Sequence, residues 1–266
     1  MTQTPHDTPL DIAHAQMMAN ETDDAARLRF YERLADCELF LLLTEEPVDE
    51  NVSPQVFEVE GHSFVLVFDR EERLADFVGQ IAPYAALSGR IIANLLAQQG
   101  MGLGLNLEVA PSSILIPPDA IAWLDQTLGT TPAEAEAKIA EITSPAGLPE
   151  ALLTGLYAKL ATAAGLAHSA YIVGVTYDTG VRSNLLSFID TVPGAEPALA
   201  KAVSEALVFS GIEAGALDVG FTRSSEAMAA TLAKWGLKFE LPQPEEAQEL
   251  GRAAPGSDPS KPPILR

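Results

Sequence analysis

Strand-like and helix-like segments alternate twice along this chain, and a polar stretch over residues 129–148 separates the two series. That pattern confines the chain to α/β layer architectures, in which sheets bury their faces under helices. In the first series, Cys37 to Thr44 reads as a buried strand. Val56 to Glu60 alternates apolar and polar residues, Gly61-His62 supplies a turn, and Phe64 to Phe68 is continuously apolar. This is a hairpin whose second strand lies deep in a sheet. Leu103 to Leu107 and Ile114 to Ile116 are further short strands.

Helix signals stand between them. Thr8-Pro9-Leu10-Asp11 combines a cap, a first-turn proline and a first-turn acid, ahead of Ala13 and Met17 at helical spacing. A second helix follows Asp23 or Asp24, with Leu28, Tyr31 and Leu34 on one stripe. Asp69 with Glu72 makes a pattern like a capping box. Ser88 opens a helix with Ile91, Ile92, Leu95 and Leu96 on its apolar face, and Gly100 closes it. Pro117-Pro118-Asp119 starts another helix, running through Trp123 to Leu128.

In the second series, residues 151–164, 197–209 and 224–235 read as helices. Residues 170–177 and 185–192 pair as strands around Asp178-Thr179-Gly180, and 216–222 and 237–241 are two more strands. The expected fold is therefore α/β (α+β): two consecutive units with mixed sheets covered by helices. The units span 1–128 and 149–241, joined by a connector at 129–148 that carries a short polar helix. A tail at 242–266, rich in Pro, Gly, Ser and Glu, is expected to lack fixed structure.

Charge narrows the function classes. The net charge is −21. Residues 1–130 hold six arginines, no lysine and 21 acids, a balance of −15. Such a field repels phosphate backbones and anionic lipid surfaces, so neither nucleic acid nor membrane is an expected partner, whereas a basic protein is compatible. No apolar stretch reaches the roughly 20 residues of a membrane span. The acidic N-terminus lacks a signal-peptide pattern, so a cytoplasmic location is expected. Cys37 is the single cysteine, has no neighbouring lysine or histidine, and reads as a small buried hydrophobe.

Candidate chemistry is sparse. Gly100-Met101-Gly102-Leu103-Gly104 follows a helix and enters a strand, the reverse of a phosphate-binding loop. His6, His14, His62 and His168 lack metal-ligand spacing, no Gly-x-Ser-x-Gly elbow occurs, and Ser257 and Lys261 miss Ser-x-x-Lys spacing. No catalytic residue, metal or cofactor is expected. Ser88-Gly89-Arg90 places free N–H groups, a hydroxyl and a guanidinium at one helix start, a physically sound carboxylate site, with Asn94 one turn further and Asn106 as an added candidate. The competing reading makes Ser88 a cap and Arg90 the partner of a surface acid. Arg182 beside Tyr177-Asp178, and Arg223-Ser224-Ser225 at a strand-to-helix junction, are minor candidates. Trp123 and Trp235 lie on helical apolar faces and read as core.

Several of these segments together resemble the SseB (enhanced serine sensitivity protein B) family. They are Phe64–Phe68 running into Asp69-Arg70-Glu71, then Ser88-Gly89-Arg90, Gly102-Leu103-Gly104-Leu105-Asn106, and Ile116-Pro117-Pro118 before Ile121-Ala122-Trp123-Leu124. Leu217-Asp218-Val219 and Gly236-Leu237-Lys238-Phe239 extend a looser likeness to that family's C-terminal domain. The resemblance implies a bacterial cytosolic protein with an α/β N-terminal domain and a related C-terminal one. The family name rests on a growth phenotype and brings no catalytic residues. The expected function is a non-enzymatic binding or regulatory protein acting through protein–protein contact. The alternative is a small-molecule binder taking an amino acid or other carboxylate at Ser88-Gly89-Arg90. Self-association is compatible with either.

Overall fold

The computed structural model describes residues 7–20, 22–47, 52–134, 136–212 and 217–243. In the first unit the elements are α1 (Pro9–Ala19), α2 (Asp24–Asp36), β1 (Glu38–Leu42), β2 (Val56–Val59), β3 (His62–Phe68), α3 (Glu71–Val78), β4 (Tyr84–Ser88), α4 (Gly89–Gln99), β5 (Gly102–Leu105), β6 (Ile114–Ile116) and α5 (Pro118–Gly129). The second holds β7 (Ile139–Thr143), α6 (Glu150–Ala161), β8 (Ser169–Tyr177), β9 (Arg182–Ile189), α7 (Glu196–Phe209), β10 (Asp218–Thr222), α8 (Ala227–Trp235) and β11 (Leu237–Glu240).

Both sheets are mixed. The first runs β4-β1-β3-β5-β6, with β2 also on β3, and only β3–β5 is parallel. In the second, β10-β9-β8-β11 form the path and β7 adds to β8. Here β9–α7–β10 is a crossover joining parallel neighbours. The period of two along each strand decides which face meets which helices. Leu39, Leu41, Val65 and Val67 pack with Leu10 of α1, Phe30 and Leu34 of α2, Ile92 and Leu96 of α4 and Leu124 of α5. Their neighbours Leu42, Leu66 and Phe68 point the other way, onto Leu74 of α3. In the second sheet Ala170, Ile172, Leu186 and Phe188 lie under α6 and α7, while Val173, Val175, Leu185 and Ile189 meet Leu232 of α8.

The helical layers of the two units face each other. Contacts run from α2 and α5 to α7, and Phe209 of α7 is buried within the first unit's core.

Four expectations change. The polar helix expected in the connector is the strand β7. Ile139 and Ile142, three apart, suggest a helical stripe, but a register irregularity between Ile139 and Glu141 in the pairing with β8 brings both onto one sheet face. β4, absent from the sequence reading, pairs residue for residue with β1 over Glu38↔Ser88 to Leu42↔Tyr84. Asp69 does not cap α3, whose first turn has no side-chain cap. Finally, Trp123 is 37% and Trp235 42% exposed, so neither is core. Trp123 stands edge-on to Tyr31 and Phe209, with ring centroids 5.4 and 6.4 Å away. Lys234 covers Trp235. His6, Ser257, Lys261 and the tail beyond Gln243 lie outside the described residues. Pro242 and Gln243 are fastened to the second unit: Gly165 N–H donates to the Pro242 carbonyl and the Gln243 amide to that of Ala167.

Candidate functional site

Ser88 and Gly89 carry the chain from the edge strand β4 into α4. The Ser88 hydroxyl accepts from the Ile91 N–H, so it caps the helix. Gly89 packs against the end of α2, where its N–H donates to the Cys37 carbonyl at 3.0 Å. A Cβ on Gly89 would lie 1.8 Å from the Leu34 carbonyl oxygen, so the glycine is a requirement of backbone packing. Cys37 Sγ donates to the Leu34 carbonyl, and burial, reinforced by the Asp69 charge, pushes its thiol up to about 12. That is the setting of an unreactive thiol.

Arg90 meets carboxylates of the chain itself. Nη1 and Nη2 donate to Oε1 and Oε2 of Glu205 on α7, both at 2.7 Å, a bidentate pair between the two units. Nε donates to Asp36 Oδ1 at 3.1 Å, and Nη2 bonds the same oxygen. Lys159 of α6 joins them, its Nζ 2.6 Å from Asp36 Oδ2, 3.1 Å from Glu205 Oε2 and 3.5 Å from Glu32 Oε1. Three carboxylates thus face two cations where α2 and α4 of one unit meet α6 and α7 of the other. The Lys159 and Glu205 side chains are each only 5% exposed. Burial pushes Asp36 and Glu205 up, but the hydrogen bonds and charges of Arg90 and Lys159 outweigh it and hold both below the usual carboxylate range.

Glu32 is the odd member. Burial raises its carboxyl against the pull of Lys159, and its buried Oε1 has no hydrogen-bond partner. A carboxyl whose folded value lies above its unfolded one takes up a proton on folding. It therefore adds stability as pH falls through the folded value and removes it as pH rises. Glu32→Gln is expected to raise melting temperature relative to wild type as pH rises from the ordinary carboxyl value of 4.5 upward. Thermal melts across that range measure it.

The other sequence candidates lie elsewhere. Asn94 Nδ2 donates to Asp125 Oδ1 on α5 at 3.0 Å. Asn106, fully buried with φ +48°, belongs to a second polar network. Its Nδ2 donates to Ser112 Oγ at 2.8 Å and its Oδ1 accepts the Asp69 N–H at 3.1 Å. Ser112 Oγ and Arg73 both donate to Asp11, while Thr8 and Arg73 donate to Asp69. Burial raises the Asp11 carboxyl, but Arg73, Ser112 and the Thr8 N–H outweigh it and bring it to about 2, against an ordinary 3.8. At about 1.4 kcal/mol per unit, that contributes about 2–3 kcal/mol above pH 4, lost as pH falls through about 2. Asp11→Asn is expected to destabilise by that amount at pH 7, with the gap closing towards pH 2 in urea titrations.

The structure thus keeps Ser88, Gly89 and Arg90 together but places Asn106, grouped with them in the sequence reading, in a separate network, and the sequence reading misses Glu32, Asp36, Lys159 and Glu205. One signal was available: Lys159 interrupts the apolar stripe Leu152, Leu156, Leu160 of α6, and a charge at such a position needs a buried partner.

Two concave surfaces stand out among the described residues. A polar groove of about 510 Å³ lies over β7, β8 and β9. Glu141, Thr176 and Arg182 form one cross-strand row in it, and among the described residues Arg182 makes no ion pair. An apolar groove of about 230 Å³ lies between α4 and β1, lined chiefly by Leu41, Val52, Pro54, Ile92, Leu95 and Met101. Among the described residues no group of three or more His, Cys, Asp or Glu is placed to hold a metal, and no helix is long and apolar enough to cross a membrane.

Residues 12–123 match the model of the SseB protein N-terminal domain. The first unit is an SseB N-terminal domain. The matched stretch runs from α1 into α5 and contains Arg90 and Asp36, but neither Lys159 nor Glu205. No curated protein and no solved structure matches the chain.

Proposed function

We propose that this chain is a non-enzymatic, cytoplasmic bacterial binding protein of the SseB family that engages a basic protein partner through its acidic N-terminal unit. The observation that carries this reading is where the cations go. Arg73 is committed to Asp11 and Asp69, and Arg90 and Lys159 to Glu32, Asp36 and Glu205, all inside the molecule. The N-terminal unit has no lysine, so spending two of its six arginines internally leaves its surface field dominated by acid. Such a field raises the encounter rate with a basic surface and repels polyanions. The unmatched C-terminal unit is read as the family's second domain, held to the first by the Arg90–Glu205 pair.

The test is capture of the tagged full chain from its own cells, with mass spectrometry of what remains bound. A stoichiometric basic protein, released as salt rises from about 0.05 to 0.5 M, is the expected result. Turnover of a substrate, abolished by changing one polar residue, would overturn the reading.

The polar groove favours a second reading, a carboxylate ligand held at Arg182 rather than at Arg90. Arg182→Ala would then abolish melting-temperature shifts produced by small carboxylates, and Arg90→Ala would leave those shifts in place.

A further inference from the structure

We propose that the polar groove over β7, β8 and β9 binds a free α-amino acid, with Arg182 taking the carboxylate and Glu141 the ammonium. This rests on the carboxylate reading of the groove given above and adds the second charge. Glu141↔Thr176 and Thr176↔Arg182 are cross-strand partners, so an acid and an arginine stand on one row with a threonine between them. Both are exposed, and among the described residues neither makes an ion pair. Two strand spacings separate their backbones by about 9.6 Å, and charged hydrogen bonds of about 2.8 Å at either end leave about 4 Å for the ligand's own charges. An ammonium and a carboxylate on one α-carbon match that span.

The wall beside that row is fixed in advance. Asn184 Nδ2 donates to the Ala146 carbonyl at 3.2 Å and its Oδ1 accepts the Ala146 N–H at 3.4 Å, which fastens the loop after β7 to β9. Gly174, on the next row between Thr143 and Asn184, lets the loop approach the sheet. A Cβ there would lie 2.6 Å from Thr143 Oγ1 and 2.9 Å from the Ser144 carbonyl oxygen. The groove, about 510 Å³, falls within the roughly 300–1,000 Å³ of small-molecule sites. Its lining carries hydroxyls and an amide and no aromatic ring, which suits a small polar ligand. Glu141 also selects among anions. A plain carboxylate or a phosphate gains Arg182 but meets the Glu141 charge, whereas a zwitterion satisfies both.

Melting temperatures of the full chain, measured with each protein amino acid in turn at about 10 mM, test this, since that level stabilises a chain that binds at about 1 mM or tighter. At least one amino acid is expected to raise the melting temperature, while its hydroxy acid and its decarboxylated amine do not. Calorimetric affinity for that amino acid should fall at least about tenfold with Arg182→Ala and with Glu141→Gln, the loss of one charged hydrogen bond in each case. Arg223→Ala, outside the groove, should leave it unchanged. Both groove side chains are exposed, so neither variant should alter the fold, and circular dichroism checks that. Diglycine, whose charges lie further apart, would overturn the proposal by binding more tightly than any amino acid. A hydroxy acid that binds as well as its amino acid, with Glu141→Gln without effect, would sink the zwitterion and leave the carboxylate reading standing. If neither amino acids nor carboxylates shift the wild type, both readings of the groove fall.

Discussion

Replacing Lys159 with alanine is expected to cost about 3–5 kcal/mol, the usual penalty for removing one partner from a buried ion pair. Lys159 is almost fully buried and lies within 3.5 Å of Glu32, Asp36 and Glu205. Without it, three carboxylates from two units face each other with only Arg90 between them. At an effective dielectric near 20, like charges about 4 Å apart repel by about 4 kcal/mol, so the loss falls on the contact between units as well as on each core. Urea unfolding measures it: the midpoint should drop, and a single transition should broaden or split as the units cease to unfold together. Lys159→Met with Glu32→Gln should recover more than about 1 kcal/mol of the loss, because it removes a carboxylate left without compensation. A Lys159→Ala cost below about 1 kcal/mol would mean that apolar contact, led by Phe209 in the first unit's core, holds the units together by itself.

That clamp also shows where sequence reading stops. Signals that act within a few residues transferred well: Thr8 caps α1, Ser88 caps α4, and Gly100 ends α4 with φ +64°. The hairpin of β2 and β3 was legible, but its turn is one residue earlier than Gly61-His62: it falls on Glu60 and Gly61, both at positive φ as a two-residue loop of the primed type demands, and His62 is already in β3. Pairings set by distant partners did not transfer. The stretch around Ala137, Lys138 and Ile139 has good helix formers, yet β8 offers a row of unpaired backbone groups, and edge pairing prevailed over local propensity. Asp69 precedes a helix as a cap would, but Thr8 and Arg73 claim its oxygens from elsewhere in the fold. Arg90 was legible as an arginine needing an anion. That its anions are Asp36 and Glu205 depends on how two units pack, and the partners sit 54 and 115 residues away in sequence.

Gly89→Ala is the sharpest single test of what the Ser88-Gly89-Arg90 segment is for. The added Cβ would lie 1.8 Å from the Leu34 carbonyl oxygen and 3.1 Å from the Ala35 Cα, both backbone atoms near the C-terminal end of α2. A flexible side chain could swing away, but this carbonyl is held by helix geometry, with Leu34 and Ala35 buried beneath it. Relief requires α4 to move off α2, which shifts Arg90 from Asp36 and Glu205 and strains the Gly89 N–H bond to Cys37. Overpacking in a tight core costs about 1–3 kcal/mol, and a clash between two backbones belongs at or above the top of that range. The expected loss is therefore about 3 kcal/mol or more, with lower soluble yield and a melting temperature reduced by several degrees. Ser88→Gly separates this from capping: it keeps the close approach, removes only the hydroxyl, and should cost a few tenths of a kcal/mol. If Gly89→Ala proved as mild as Ser88→Gly, α4 would stand further from α2 than the structure places it. The segment could then present its N–H groups and Arg90 to a ligand instead of to the chain's own helices.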